Sequence, residues 1–419
     1  MPTHAPKSSS EAAARPRLPQ HFLLAWSALA LSAAGDRLFF AAVAWFVTAQ
    51  YGAVAGTLTV GLAQFLPSAL LAPFAGVLVD RLPRHRLLVW SDAARLVTSL
   101  IFAGVLWWFG LSLVAVLVSV VALRVAGMLF QPALQSALAT AAHTEGQLIR
   151  LDVWVLAAGM IAGLAGPGLA VLAVAVGAVT AMLINAGTFL LSLSAMIRAQ
   201  PIFTRQETSL DRAVLRRALD GWWSSAAEGL AVVRTDTVVR RVVPTLPVID
   251  LAAAGLTLLL PAVLLEHGYS SGVWYGVLTG TWAAGRFIGL FLTRRLLVYS
   301  RKGPVLALNA VVQGVAMLGI AMVDTPVAMV PLFLVIGIPS GCASVCVSAY
   351  IQTKVREEVR GRVFALLNAA VTAAMPLGPL VAGAVTAIDS VPVAIAVLGV
   401  ALGVTGLIPL ASRRVWRVA

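Results

Sequence analysis

The chain has 419 residues, of which 60% are hydrophobic and 11% charged, and its formal net charge is +13. Soluble globular proteins carry roughly 25% charged and 45–50% apolar residues, so this composition excludes a water-soluble core, a disordered chain and a coiled coil. Two cysteines are too few for a disulfide framework. The composition is that of a helical membrane protein with many spans, and we attribute the excess of basic residues to its loops rather than to nucleic-acid binding.

Twelve apolar runs are each long enough to cross a bilayer, which takes roughly 20 residues in a helix. Helices are expected because lipid offers the backbone no other hydrogen-bond partner. The predicted spans 1 to 12 are residues 21–49, 54–79, 87–109, 112–138, 147–174, 178–198, 243–265, 272–293, 304–323, 326–350, 363–388 and 391–411. The predicted fold class is therefore an all-α membrane protein with twelve transmembrane helices.

Basic residues fall almost entirely on one side of the predicted membrane. Of the 30 lysines and arginines, 26 lie in the terminal segments, in the loops of one side or at the adjoining span ends (Arg150 and Arg198), four lie deeper within spans, and none lies in the loops of the other side. Lysine and arginine accumulate in cytoplasmic loops. We therefore predict a multi-pass protein of the cell inner (plasma) membrane with both termini in the cytoplasm.

A long polar stretch divides the chain into two groups of six spans. We predict a disordered cytoplasmic N-terminus, a first six-helix bundle, a cytoplasmic central loop, a second six-helix bundle and a cytoplasmic tail. These segments are residues 1–20, 21–198, 199–242, 243–411 and 412–419.

The two halves share short patterns at a nearly constant offset. Gly166-Pro167 in span 5 recurs 212 residues later as Gly378-Pro379 in span 11. Asp36 in span 1 recurs 214 residues later as Asp250 in span 7. Such an internal repeat is typical of transporters, whose substrate site lies between the repeats near the middle of the membrane. The two Gly-Pro pairs are candidate helix-bend points, or alternatively sites of close helix packing.

Residues 76–86 read GVLVDRLPRHR. This stretch resembles the G-x-x-x-D-R-x-x-R-x-R signature of the major facilitator superfamily. Stretches at 35–37, 91–95, 130–134 and 360–364 are similar to its bacterial efflux branch, which includes enterobactin-type siderophore exporters and macrolide efflux pumps. The resemblance covers residues 20–410 and implies two pseudo-symmetric six-helix bundles. A second copy of the start of the signature, residues 289–294 at the end of span 8, departs from the pattern, because Thr293 replaces its acid.

The signature stretch is also a candidate inner gate. Asp80 lies at the inner end of span 2, where it can accept hydrogen bonds from the N-terminus of a neighbouring helix. The resemblance implies that this helix is span 11. The predicted gate residues are Gly76, Asp80, Arg81, Arg84 and Arg86.

Ionisable side chains within spans cost free energy and each requires a reason. Asp92 and Arg95 are three residues apart on one helix face and are predicted to pair with each other or with the loop after span 2. Asp36 and Arg124 lie near mid-depth of spans 1 and 4. Polar residues at helical spacing on several spans, such as Thr279, Trp282 and Arg286 on span 8, predict a wet central cavity, or alternatively hydrogen bonds between packed helices. The candidate proton-coupling and cavity residues are Asp36, Arg124, Asp250, Arg286, Gln64 and Gln131.

The resemblance implies a secondary exporter of small amphipathic molecules, such as a drug, antibiotic or siderophore. The mid-span acid and base favour proton antiport, with Asp36 as proton acceptor and Arg124 as its partner. The alternative for this pair is a structural ion pair between spans 1 and 4. The alternative functions are an importer of a nutrient or lysophospholipid on the same fold, and a membrane sensor without transport. We expect no enzyme activity, no metal and no cofactor, with the proton gradient as energy source. The expected partners are the substrate and the bilayer, and we expect a monomer.

Overall fold

The computed structural model describes residues 22–79, 82–134, 145–199, 237–299 and 302–416. The predicted disordered terminus at 1–20, most of the central loop, and Asp80 and Arg81 lie outside these residues. Helices account for nearly all of the described residues, and none of them is in a strand. The all-α fold is therefore confirmed.

In the part of the chain that the structure describes, six long helices belong to the first half and seven to the second. The first half contains α1 (Phe22–Ala55), α2 (Gly61–Val79), α3 (Arg84–Phe109), α4 (Leu113–Gly127), α5 (Glu145–Val176) and α6 (Ala178–Arg198). The second half contains α7 (Thr245–Glu266), α8 (Val273–Tyr299), α9 (Lys302–Ala321), α10 (Pro326–Lys354), α11 (Glu357–Ala374), α12 (Leu377–Ile388) and α13 (Val391–Leu410). Two short helices, Thr237–Val242 and Arg413–Trp416, flank the second half. Predicted span 11 comprises α11 and α12, which are separated by a turn at Met375 and Pro376.

Ten helical stretches in the described residues are long and apolar enough to cross a membrane. The first of them, Phe22–Leu71, covers predicted span 1 and most of predicted span 2. The chain reverses between these two spans at Gly52, which has a φ of 83°. A π-helical turn, Gly56–Val60, then leads into α2. Predicted span 8 coincides with α8, which is less apolar than the ten because it carries Thr279 and Arg286 among its residues. The count of twelve spans thus holds approximately.

The packing of the first half recurs in the second. In the first half α1 packs on α5 and α6, α3 packs on α4 and α6, and α2 packs on α4. In the second half α7 packs on α11, α12 and α13, α9 packs on α10 and α13, and α8 packs on α10. Between the halves α5 meets α8, α2 meets α11, and α1 meets α7. This is the pattern of two six-span bundles related by a pseudo-twofold axis.

Buried apolar clusters show where the halves are joined. We call the end of the bundle that carries the start of α1 the terminal end, and the other the distal end. At the distal end, Ala41, Trp45 and Ala170 of the first half belong to a cluster built mainly by the second half. Leu258 of the second half belongs to the distal cluster of the first. At the terminal end each half has a cluster of its own. Among the described residues, the halves therefore share buried apolar clusters at the distal end only.

Candidate functional site

A cavity of about 920 Å³ lies between the two halves. It is bounded by α1, α5 and the segment after α4 on one side, and by α7 and α8 on the other. Gln131, Val155 and Leu290 line it towards the terminal end, whereas Ala170 and Tyr275 line it towards the distal end. The polar lining residues are Arg37, Gln131, Thr257, Tyr275, Thr279, Trp282 and Arg286. A cavity of this size is in the range of sites for drug-sized molecules.

The distal end of the cavity is closed by direct contact between the halves. The rings of Trp45 and Tyr275 lie 6.0 Å apart between centroids. Pro167 in α5 packs against Gly276 and Gly280 in α8. A Cβ atom on Gly276 would lie 2.8 Å from the carbonyl oxygen of Pro167, so only glycine allows this approach.

The pseudo-twofold axis repeats the proline–glycine contact. Pro379 in α12 packs against Gly61, which opens α2. The preceding residue, Gly378, approaches the backbone of Gly255 in α7. The two Gly-Pro pairs therefore lie where helices of different halves touch, and α5 continues through Pro167 without interruption. Both readings of these residues, bend point and close packing, stay open, but the contacts place Pro167 and Pro379 at the joint between the halves.

Beside the cavity the first half holds a dense ionic cluster. Arg95 Nη2 donates to Asp92 Oδ1 at 2.6 Å, and both side chains are almost fully buried, at 2% and 0% exposure. Ser192 donates to the other oxygen of Asp92 at 2.5 Å, and Arg95 Nη1 donates to Ser32 at 2.7 Å. The guanidinium also lies 4.7 Å from the ring centroids of two phenylalanines, Phe130 and Phe189. Four elements of the first half, α1, α3, α6 and the segment after α4, thus meet at one arginine.

Arg95, rather than Arg124, is the ion-pair partner of Asp36. Arg95 Nη1 lies 3.6 Å from Asp36 Oδ2, and the Asp36 side chain is 43% exposed. Arg124 is attracted by Asp36 and repelled by Arg95, but it forms no ion pair with Asp36. Its Nε is buried without a hydrogen-bond partner among the described residues. Arg95 and Arg124 therefore both act electrostatically on one carboxylate, that of Asp36, which is only partly buried.

The second half contributes a looser pair. Asp250 in α7 and Arg286 in α8 interact electrostatically, yet they are not within ion-pair distance in the described structure. Arg286 instead stacks on Trp282, with its guanidinium carbon 5.5 Å from the ring centroid. Arg286 lines the cavity, whereas Asp250 is not among its lining residues.

The sequence matches the family model described as Major Facilitator Superfamily over residues 25–379. The chain belongs to the major facilitator superfamily. This superfamily match, together with the two matched bundles and the central cavity, confirms the fold expected from the signature at residues 76–86.

Relatives add detail to the superfamily assignment. The chain is 29% identical over 399 residues to the multidrug efflux pump Tap of Mycobacterium tuberculosis and of Mycobacterium bovis, with 92% of each chain covered. Among solved structures, a peptide transporter POT superposes with a TM-score of 0.74 at 13% identity, covering 95% of both chains. A bacterial homologue of the human lysosomal transporter Spinster, in an inward-facing and unoccupied conformation, also reaches 0.74, at 11% identity, covering 94% of this chain and 97% of the other. These structures show a shared major facilitator fold.

The major facilitator gate signature is only partly described. Gly76 lies within α2, Arg84 is half-buried at the start of α3, and Arg86 is exposed. The neighbouring His85 contacts the carbonyl oxygen of Met196 at 3.1 Å. Asp80 and Arg81 lie outside the described residues, so the gate stays a prediction.

The remaining candidates divide between the cavity and the helices around it. Gln131 faces the major facilitator cavity, and so does the predicted stripe Thr279, Trp282 and Arg286. Gln64 is half-buried on α2 and does not line this cavity. Sequence reasoning did not place Arg37 in the site. The sequence did contain a feature that could have placed it there: an arginine at mid-span without an acid on the same helix face needs a polar environment.

Proposed function

We propose that this protein is a secondary exporter of small amphipathic molecules that works by alternating access and proton antiport. The proposal rests on the cavity between the halves, which is closed at the distal end and has lining residues that extend towards the terminal end. Given the arginine distribution, the terminal end is cytoplasmic and the cavity faces inward. The relationship to a protein named as a multidrug efflux pump supports export, and the proposed location is the bacterial inner membrane.

The proposed cycle moves the two halves about their distal joint. Substrate enters the cavity from the cytoplasmic side, the terminal ends approach, and the distal contacts at Pro167 and Pro379 separate. No metal, cofactor or nucleotide is assigned a step. The cycle needs one group that exchanges a proton with water and senses the state of the halves.

Asp36 fits this role. Its side chain is 43% exposed, forms an ion pair with Arg95 at 3.6 Å, and directly precedes Arg37 of the cavity wall in α1, so we place it within reach of a proton from water. Proton uptake would remove its negative charge and weaken the contact with Arg95. Because Arg95 also binds Asp92 and Ser32, the change at Asp36 is transmitted to α1 and α3 together.

We expect the substitution Asp36→Asn to abolish proton-driven export and to leave folded protein in the membrane. Asparagine keeps the size of the side chain and cannot release a proton. The measurement is drug susceptibility and cellular accumulation over a panel of compounds, followed by flux in proteoliposomes under an imposed pH gradient. Asp324→Asn is the control, because that acid is 91% exposed in a distal connection. Full transport by the Asp36 variant would remove this residue from the mechanism.

The same assay separates export from import. An exporter lowers accumulation and raises tolerance when it is overproduced, whereas an importer does the reverse. The peptide-transporter neighbours share the fold only, at 13% identity, and leave the direction to this experiment. Absence of flux under every gradient would favour a sensor.

We expect Asp80→Ala to shift the resting population towards the state that is open at the terminal end. Asp80 is predicted to hold that end closed by accepting hydrogen bonds from the start of span 11. The measurement is maleimide labelling of Val155→Cys, which lines the cavity towards the terminal end, after both native cysteines are replaced by alanine. Asp389→Ala, in a distal connection, is the control. Unchanged labelling would argue against the gate.

A further inference from the structure

We propose that the cavity selects anionic amphiphiles, and that Arg37 and Arg286 together bind the anionic group. This inference rests on the proposed transport function and specifies its substrate class. The proposed anion site is distinct from the proposed proton acceptor Asp36, because Arg37 is rotated by roughly 100° from Asp36 around α1.

The charge of the cavity wall carries the proposal. Two guanidinium groups line the cavity, Arg37 from α1 and Arg286 from α8, and no described lining residue is acidic. The two arginines repel each other electrostatically, and the larger attraction on Arg286 comes from Asp250, which is not among the residues that line the cavity. An anion placed between them would relieve that repulsion, whereas a cation would add to it.

Neither arginine is neutralised by a carboxylate in direct contact. Arg37 is exposed to the cavity and makes no ion pair with any described residue, since the adjacent Asp36 is engaged by Arg95. Arg286 stacks on Trp282, and Asp250 lies beyond ion-pair distance from it. Both guanidinium groups therefore keep donors for a carboxylate, sulfonate or phosphonate, which arginine binds well through its fork of N–H groups.

The remaining wall suits the apolar part of such a molecule. Phe40, Tyr275, Trp282 and Phe287 line the cavity around the arginines. The indole N–H of Trp282 is buried without a hydrogen-bond partner among the described residues, so it is a further donor beside the site. An aromatic body with one acidic group matches this combination.

The two arginines also belong to different halves. An anion that contacts both would draw α1 and α8 together, so its binding energy would depend on the relative position of the halves. A neutral compound of the same shape lacks this contact. Binding of the anionic group is thus coupled to the relative movement of the two halves that transports the substrate.

The test measures binding by purified protein in nanodiscs of zwitterionic phosphatidylcholine, without any gradient. The probes are naphthoate, naphthamide and naphthylmethylammonium, which share one ring system and differ in charge. We expect naphthoate to bind about tenfold or more tightly than naphthamide, and the ammonium probe to bind weakest, as charged hydrogen bonds exceed neutral ones. Arg37→Gln and Arg286→Gln should each weaken naphthoate binding about tenfold and leave naphthamide binding nearly unchanged.

Two further variants make the outcome specific. Arg37→Lys keeps the charge and should retain most of the preference, and Arg413→Gln, on the exposed end of the chain, should bind like the parent. Equal binding of the three probes, tighter binding of the ammonium probe, or no binding of any of them would overturn the assignment. Since the assay requires no transport, these outcomes are separate from failure of the exporter proposal, which shows as unchanged accumulation and absent flux.

Discussion

Replacing Arg95 by methionine is expected to lower the free energy of unfolding by about 3–5 kcal/mol, the usual cost of removing one partner of a buried ion pair. Methionine fills similar volume, but it leaves the Asp92 carboxylate at 0% exposure with Ser192 as its remaining hydrogen-bond partner among the described residues. Asp36 and Ser32 lose their contacts to the same guanidinium. The measurement is thermal or denaturant unfolding of the purified protein in a mild detergent.

Two comparisons identify the cause of that loss. Asp92→Asn with Arg95→Met removes both charges and should recover part of the stability, because the uncompensated carboxylate is then absent. Arg413→Met alters an exposed arginine and should change stability little. A loss below about 1 kcal/mol for Arg95→Met would show that this cluster does not hold the first half together.

Replacing Gly276 by valine is expected to open the distal end. The new Cβ would lie 2.8 Å from the carbonyl oxygen of Pro167 and overlap Val171, so α5 and α8 must separate. Because these helices belong to different halves, relief of the clash favours the opposite conformation of the cycle. We expect labelling of Ala283→Cys in the cavity by an impermeant maleimide, added on the distal side, to rise several-fold.

Gly187→Val provides a matched control in α6, where a Cβ atom meets nothing within 4 Å. Both variants use a background in which Cys342 and Cys346 are replaced by alanine. If Gly276→Val labels no faster than Gly187→Val, the distal packing does not restrain the closed state. Gly280→Ala should give a smaller effect, since its Cβ would lie 3.2 Å from Pro167.

The fold could be predicted from the sequence because the features that indicate it are either short local patterns or sums over many residues. Twelve apolar runs, the one-sided distribution of arginine and the signature at residues 76–86 each hold without knowledge of tertiary contacts. The pairing of Asp92 with Arg95 was predictable for the same reason, as residues three apart share a helix face. The stripe of Thr279, Trp282 and Arg286 likewise indicated which face of α8 meets the cavity.

The partner of Asp36 was not predictable in this way. The predicted depth of the residues in the membrane suggested Arg124 on span 4 as the partner. In the structure Arg95 of α3 is the partner, with its Nη1 atom 3.6 Å from Asp36 Oδ2. Residues at equal depth are indistinguishable until the order of helices around the bundle and the rotation of each are known. The same rotation decides that Arg37, rather than Asp36, lines the cavity.

The connections at the distal end have a practical consequence. They are Gly52, residues 110–112, Gly177, and residues 267–272, 322–325 and 389–390. Each has at most six residues outside helix, and Gly177 makes its turn alone with a φ of 85°. In the proposed orientation, such short links give proteases and antibodies little to recognise on intact cells, and none can fold over a bound molecule as a cap. In the proposed export cycle, a substrate released at this face passes directly between helix ends into the surrounding fluid or the outer leaflet.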